Sequence, residues 1–477
     1  MLFYGIGEET PGIKRAAFGT FLLFYYQQIV GVSGTLTGVA LAIALFFDAI
    51  SDPVTGAISD RTHSRWGRRH PYLFISALPL AVFFYLLFSP PDDISEIMAF
   101  AWLTVFAIPV RLALTLYDIP HKALGAELAS DYVQRTSLFT LATFFGFCGA
   151  GTAIILGYVV FFPTTEEYNP GLLNPDRYSP FALLLAILMF FYIITSAVGT
   201  FKQIPYLKPA TRRAGMRWYT AYVEICEAFK NKSFRRLFFG IFVTTFIAAI
   251  EGIFAPFMGF HFWGLTTEQL TLAYVIGPTF GLPLSIWLVP KVTMLYDKRT
   301  VLIVSCLITV LVGNWAVVCR LMGAIWFPEN SSPWILVIIC VNMFLITAIM
   351  PAIYASIDSM MADIADEIDL ETGERREGIL YSARAFALKA TAGIGLIVGG
   401  ILLDFIEFPK NAEAGSVAKD VVWQLGFVVG PATSAFTLVG VLLFYGYPLT
   451  RSRHLEIIQA LKKRDSVLIS LPRSKIN

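Results

Sequence analysis

The chain is 477 residues long, 56% hydrophobic and only 15% charged, against roughly 25% charged in soluble domains. That composition excludes an ordinary soluble domain, and a net charge of +2 supplies no bulk field for nucleic acid. Cys148, Cys226, Cys306, Cys319 and Cys340 form no CxxC pair and lie mostly in apolar runs, so neither a disulfide frame nor a zinc site is expected.

Apolar blocks of about 20 residues, each long enough to cross a hydrocarbon core of about 30 Å, recur along the whole sequence. They predict twelve spans, at about 13–31, 36–58, 71–90, 97–119, 138–162, 180–201, 236–258, 270–290, 300–322, 334–358, 379–404 and 424–446. The opening MLFYGIGEETPGIKR has no basic start, apolar centre and small-residue cleavage site. No cleaved signal peptide is expected, and the first span acts as its own insertion signal.

The second span carries the strongest chemical signal, DAISDPVTGAISDRTHSRWGRR from Asp48 to Arg69. Asp48 and Asp52 are four residues apart, on one helical face roughly 6 Å from each other. A carboxylate at the centre of a spanning helix costs roughly 2.5–3.5 kcal/mol even on lenient scales. Two on one face point to a coupling-ion site. Their oxygens can surround a small hard cation; without one, two like charges this close resist joint ionisation, so the pair can hold a proton. Na+ and H+ both remain open. Pro53 removes a backbone donor beside the pair and frees a carbonyl. The loop that follows holds Asp60, Arg61, Arg65, Arg68 and Arg69, which either latch neighbouring helix ends or simply set topology.

In the fourth span Arg111 and Asp118 are seven residues apart, on one side. The segment 202–235 then divides the spans six and six. Within it Trp218, Tyr222, Ile225 and Phe229 recur at helical spacing, as in an amphipathic helix lying on a leaflet. Glu251 is a lone acid in the seventh span, and Gln27, Gln28 and Asn342 add polar surface. With Tyr25, Tyr26, Tyr117 and Tyr354 these are the donors, acceptors and ring faces a polyol needs, although each also suits helix-to-helix packing. Past the tenth span, Asp363, Asp366 and Glu367 face Arg375 and Arg376 as a second possible latch. Lys389 lies well inside the eleventh span with Arg384 nearer the loop. A buried lysine needs an anion, and Asp48 and Asp52 are its natural partners, with Arg384 an alternative charge partner for them.

Loops rich in Lys and Arg alternate with loops that have little beyond Arg177, Lys410 and Lys419. The positive-inside rule then places both termini and 202–235 in the cytoplasm of a multi-pass cell-membrane protein. The loop ELASDYVQR after span 4 returns as MADIADEIDLETGERREG after span 10, and Asp60-Arg61 after span 2 returns as Asp297-Lys298-Arg299 after span 8. Such repeats mark secondary transporters built from two bundles around a midplane site. The organisation expected is an N-terminal six-helix bundle (1–201), a cytoplasmic linker (202–235), a C-terminal six-helix bundle (236–446) and a cytoplasmic tail (447–477).

Three stretches resemble a known family. FFDAISDPVTGAISDRTHSRWGRRHPYL (Phe46–Leu73), YDIPHKALGAELASDYVQRTSL (Tyr117–Leu138) and MADIADEIDLETGERREGILYSARAFALKA (Met361–Ala390) are similar, in order and spacing, to the glycoside–pentoside–hexuronide:cation symporters. These form the melibiose-permease-like branch of the major facilitator superfamily. The resemblance implies an all-α fold of twelve transmembrane helices in two six-helix bundles. By motif position it places a cation between Asp48, Asp52 and the Thr115 hydroxyl, the family's lysine on Lys389, a sugar-contacting aspartate on Asp118 and an aromatic residue on Tyr354. There are departures. The Lys-Asp pair of the family's first span falls on Pro11-Gly12, an arginine of its fifth span on Thr143, and the tryptophan after Asp-Ile-Pro on Lys122.

The sequence therefore predicts a symporter that couples Na+ or H+ to uptake of a small polar solute: a sugar, glycoside or uronide. The alternative cargo is a lysophospholipid-like amphiphile, carried by a eukaryotic branch of the same superfamily. The candidate solute contacts are Asp118, Tyr117, Lys122, Tyr354, Arg111 and Glu251, with Asp60, Arg65, Arg68, Arg69, Asp363 and Arg375 at the cytoplasmic gate. No nucleotide loop, metal cluster or nucleophile motif is present. No enzymatic activity, cofactor or nucleic-acid partner is expected, no metal beyond Na+ at Asp48 and Asp52, and a monomer in lipid is the expected state.

Overall fold

Polar caps open the helices of this chain where hydrocarbon offers their first amides no partner. Ser33 accepts from the Leu36 N–H, Asn231 from Phe234, and Ser332 from Trp334. Thr266 and Gln269 cap one another's backbone reciprocally. The computed structural model describes residues 1–128, 132–206, 228–330, 332–373 and 377–470, and they form helices joined by short loops.

Helices Leu2–Gly7 and Glu9–Ala16 and the π turns Ala17–Leu22 and Tyr25–Ile29 make the first span, α1. Then follow α2 (Gly34–Arg61), α3 (His70–Leu87), α4 (Glu96–Leu128), α5 (Tyr132–Ile155, continued by a π turn Leu156–Phe161) and α6 (Tyr178–Phe201). The second set is α7 (Lys232–Phe257, continued by Met258–Phe262), α8 (Thr267–Leu295), α9 (Lys298–Leu321), α10 (Pro333–Thr372) and α11 (Glu377–Phe405). It closes with α12, built from Lys419–Phe427, the π turn Val428–Ala432 and Thr433–Tyr445. A further helix, α13 (Arg451–Ser470), is polar. Eleven of these spans are long and apolar enough to cross a bilayer, and α1 makes the twelfth.

Packing repeats with an offset of six. Within the first set α2 packs on α4, α1 on α5 and α6, and α3 on α4 and α6; within the second α8 packs on α10, α7 on α11 and α12, and α9 on α10 and α12. Two six-helix bundles related in this way are the expected architecture. They meet most extensively along α2 and α11. Glycines let the two backbones approach there: a Cβ on Gly38 would overlap the Leu396 carbonyl, and one on Gly400 the Gly34 carbonyl.

The bundles are joined chiefly on the face away from the chain termini. Asp404 accepts from the N–H groups of Gly34 (2.9 Å) and Thr35 (2.8 Å), capping α2 from the opposite bundle. Gln28 donates to the Pro409 carbonyl at 3.0 Å and accepts from the Ala412 N–H at 2.9 Å. Glu268 accepts from the Thr164 N–H at 2.8 Å, and the Thr164 and Thr267 hydroxyls meet at 2.9 Å. One apolar core runs through the first bundle and the far half of the second, and a separate one fills the second bundle nearer the termini. Hydrogen bonds close the cleft between them at the far face.

Three boundaries differ from the sequence reading. The first span begins at Leu2 rather than near residue 13, because Glu8, which dilutes the hydropathy, is satisfied across helices by His121 at 3.2 Å. α4 runs on to Leu128. α10 continues past residue 358 to Thr372 and ends on Gly373 at φ +75°, the left-handed position that suits glycine. Its acids are paired there: Lys298 donates to Asp363 at 2.8 Å, and Arg464 of α13 meets Asp369 at 2.9 Å. The amphipathic stretch expected at Trp218–Ile225 lies outside the described residues.

Candidate functional site

α2 puts Asp48 and Asp52 on one face, toward α4 and α11. From α4, the Thr115 hydroxyl lies 2.8 Å from Asp48 Oδ1 and 3.1 Å from Asp52 Oδ1. From α11, the Lys389 ammonium contacts Asp52 Oδ2 directly and lies 3.5 Å from Asp48 Oδ2. Arg111 Nη1, one turn before Thr115, is also 3.5 Å from Asp48 Oδ2. Thr115 and Arg111 are buried, whereas the side chains of Asp48, Asp52 and Lys389 are 18%, 26% and 30% exposed. The carboxylates thus face the cleft while their hydroxyl partner is packed away. The Lys389 ammonium thus bridges oxygens of both carboxylates. Asp48, Asp52, Thr115 and Lys389 are brought together as the sequence predicts.

Arg384 is not part of this group. It pairs with Asp358 of α10, five residues and more than a turn away from Lys389 on α11. Asp358 is the acid the sequence reading overlooked.

Arg111, Thr115, Asp118 and Lys122 lie four, three and four residues apart and form one stripe of α4. Lys122 donates to Asp118 Oδ2 at 2.6 Å, while Asp118 Oδ1 is buried without a partner among the described residues. Tyr117 does not join the stripe. Two residues beyond Thr115, it is turned about 200° around the helix and is fully buried against His121, ring centroids 5.0 Å apart.

Glu251 and Tyr354 lie apart from that stripe. They line a cavity of about 320 Å³ formed by α7, α8, α9, α10 and α12 alone, at the lower end of small-molecule pockets, roughly 300–1,000 Å³. Its polar points include Asn314, which pairs with Ser434, and Asn342, which accepts from Trp315 Nε1 at 2.9 Å. The rest of the wall is largely apolar, including Ile339, Ile346 and Met350.

The arginine loop ties one bundle to itself. Arg68 and Arg69 meet Glu127 at the end of α4 at 2.8 and 3.0 Å, and Arg69 donates to Ser59 at 2.7 Å. Arg65 stacks over Trp66 at 5.8 Å. On the other bundle Asp363 is held by Lys298 and His454, and Asp366 by His454 at 3.1 Å; Glu367 accepts from Asn231 at 3.0 Å. The side chains of Asp60 and Arg61, and Arg375 and Arg376, lie outside the described residues.

Residues 3–451 match the MFS/sugar transport protein family. The chain is 25% identical to the isoprimeverose transporter of Lactiplantibacillus pentosus, over 93% of this chain and 87% of that one. It is 22% identical to the sodium-dependent lysophosphatidylcholine symporter 1-B of Danio rerio, over 95% and 87%. Its fold superposes on a crystal structure of a D-xylose–proton symporter with a TM-score of 0.62 at 14% identity, over 94% of this chain and 96% of that one. Two six-helix bundles, a charged pair at their crossing and a family match along almost the whole length lead to one conclusion: the chain belongs to the MFS/sugar transport protein family and is a membrane transporter, not an enzyme.

Proposed function

We propose that this transporter is a secondary symporter, acting as a monomer in the membrane with both termini cytoplasmic. It couples entry of Na+ or H+ to uptake of a small polar solute, a sugar, glycoside or uronide, by alternating access. The observation that carries this reading is the Lys389 ammonium across Asp48 and Asp52, joining the two bundles inside the membrane.

A cation entering this site displaces the ammonium from the carboxylates. One positive charge replaces another, so the exchange is close to isoelectric and readily reversed. The Thr115 hydroxyl, now donating to the carboxylates, turns a lone pair toward the ion. The freed Lys389 no longer holds α11 to α2, which links ion occupancy to bundle movement. The cleft in its present form faces the cytoplasm and represents the release stage. Solute contacts come from Asp118 Oδ1, whose unmet acceptor suits a hydroxyl, with Arg111 and Lys122 on the same stripe and Glu251 and Tyr354 from the second bundle.

The largely apolar wall of the cavity beside Glu251 favours a second reading, an amphiphile with a lysophospholipid-like tail. Proteoliposome uptake over a panel of sugars, glycosides, uronides and lysolipids, under imposed Na+ or H+ gradients, tests both. Uptake that no gradient accelerates refutes symport; acceleration only for lysolipids replaces the first cargo with the second.

A further inference from the structure

Two cations in the first bundle have unmet binding capacity, and neither is explained by ion coupling alone. Lys14 and Phe18 are one turn apart on α1. The Lys14 ammonium lies 4.5 Å from the Phe18 ring centre, and the Arg111 guanidinium lies 5.4 Å from the same centre. Lys14 is half-buried and has no carboxylate partner among the described residues; the charges that act on it most are those of Arg111 and Asp48. Arg111 is 7% exposed and spends one donor on Asp48 at a long 3.5 Å, while its Nε–H is buried with no partner among the described residues.

A half-buried ammonium and an unmet, buried guanidinium donor are each costly in low dielectric without an anion. The charge count adds to this. Lys14, Arg111 and Lys389 gather round two carboxylates, Asp48 and Asp52, so the group is already one positive charge in excess; Asp118 and Lys122 neutralise each other. Entry of a coupling cation in place of Lys389 leaves that excess standing. The group then lacks negative charge at the moment solute binds.

We infer that the solute carries an oxyanion, a carboxylate or phosphate group, which docks between Lys14 and Arg111 against the Phe18 ring. This rests on the transport reading above and narrows it from polar solutes to acidic ones. The guanidinium Nε–H and a free Nη–H present the paired donors that a planar carboxylate accepts, and the ammonium supplies the second positive point. The ring, itself buried, holds both cations by cation–π contact.

The test uses the purified full-length protein and three probes: phenyl β-D-glucuronide, its neutral counterpart phenyl β-D-glucoside, and lysophosphatidylcholine. Binding is followed by calorimetry with and without Na+, together with proteoliposome uptake. Wild type is expected to bind one of the two oxyanion probes at least about tenfold more tightly than the glucoside, and which of the two separates a carboxylate from a lipid phosphate. Lys14→Met should lose that preference at least about tenfold; Lys14→Arg should restore most of it. Unfolding temperature confirms that each variant is folded. Glucoside binding as tight as, or tighter than, both oxyanions overturns the inference, as does failure of wild type to bind either oxyanion. So does a Lys14→Met protein that changes Na+ affinity and leaves the preference intact, which would make Lys14 a counter-charge of Asp48. Oxyanion uptake that is indifferent to both ion gradients leaves the inference standing and refutes symport instead.

Discussion

Replacing Lys389 by Met removes the ammonium from between Asp48 and Asp52 while keeping most of the side chain's volume. At 3.5 Å from Asp48 Oδ2, and an effective dielectric of about 20, its attraction to that one carboxylate is about 5 kcal/mol before solvation. The three side chains keep 18–30% of their surface in solvent. Screening and the lysine's own desolvation offset most of the attraction, leaving about 1–2 kcal/mol of net hold. An entering cation competes against that hold, so its removal should tighten cation binding roughly 5- to 30-fold. Calorimetric titration at constant ionic strength reads this directly, with Na+, Li+ and protons taken in turn. The same variant should accumulate solute poorly, since nothing then reports ion occupancy to α11. A Lys389→Met protein that binds none of the three cations more tightly than wild type refutes the view that the ammonium holds the cation's place.

The Asp48→Asn/Asp52→Asn double variant should express and insert normally yet lose ion-driven accumulation; full accumulation in vesicles with an imposed gradient would remove the pair from the coupling site. Asp118→Ala should weaken solute binding at least tenfold, by loss of a charged hydrogen bond, and leave cation binding in place, since Lys122 and not the Asp48 group is its partner; calorimetry separates the two. Asp404→Ala removes the cap on α2 and should cost the closed far face about 1 kcal/mol, a roughly fivefold shift in population, seen as longer distances between spin labels at Asp92 and Glu413. A cysteine replacing Gly215, in a chain without the native five, should resist impermeant thiol reagents in intact cells; ready labelling would invert the topology.

Much of the site was legible because helical arithmetic is local. Asp48 and Asp52 four apart, and Arg111, Thr115, Asp118 and Lys122 in one stripe, follow from 3.6 residues per turn. The same arithmetic, carried two residues past Thr115, turns Tyr117 to the opposite side, where the structure buries it. The pairing of Lys389 with residues more than 330 positions away was reachable only through the need of a buried charge for a partner. That need does not say which partner, and so Arg384 was assigned to the wrong acid: Asp358 sits on the neighbouring helix and takes it first. Helix ends were the least legible feature. Glu8 and the acids at Asp363, Asp366 and Asp369 read as loop because hydropathy counts them singly, while the fold satisfies each with a cation or imidazole from elsewhere in the chain. Lys14 passed unnoticed for a related reason: its neighbours on the chain are unremarkable, and only the packing of α1 on the rest of its bundle sets it beside Arg111.

Asp52 and Lys389 both lie well away from the ends of α2 and α11, close to where the helices cross. On a see-saw, points near the fulcrum keep their separation while the ends swing widely. In the cation-free protein that contact is available in both end states, so its energy cancels from their difference, and a cation that displaces Lys389 removes it. The extremities decide which way the molecule rests: the glycine-backed seam from Gly34 to Gly400 and the Asp404 cap on one side, the self-contained charge clusters of the two bundles on the other. Substitutions at the extremities therefore shift equilibrium populations, whereas substitutions at the crossing change barrier height and so the rate of exchange between them.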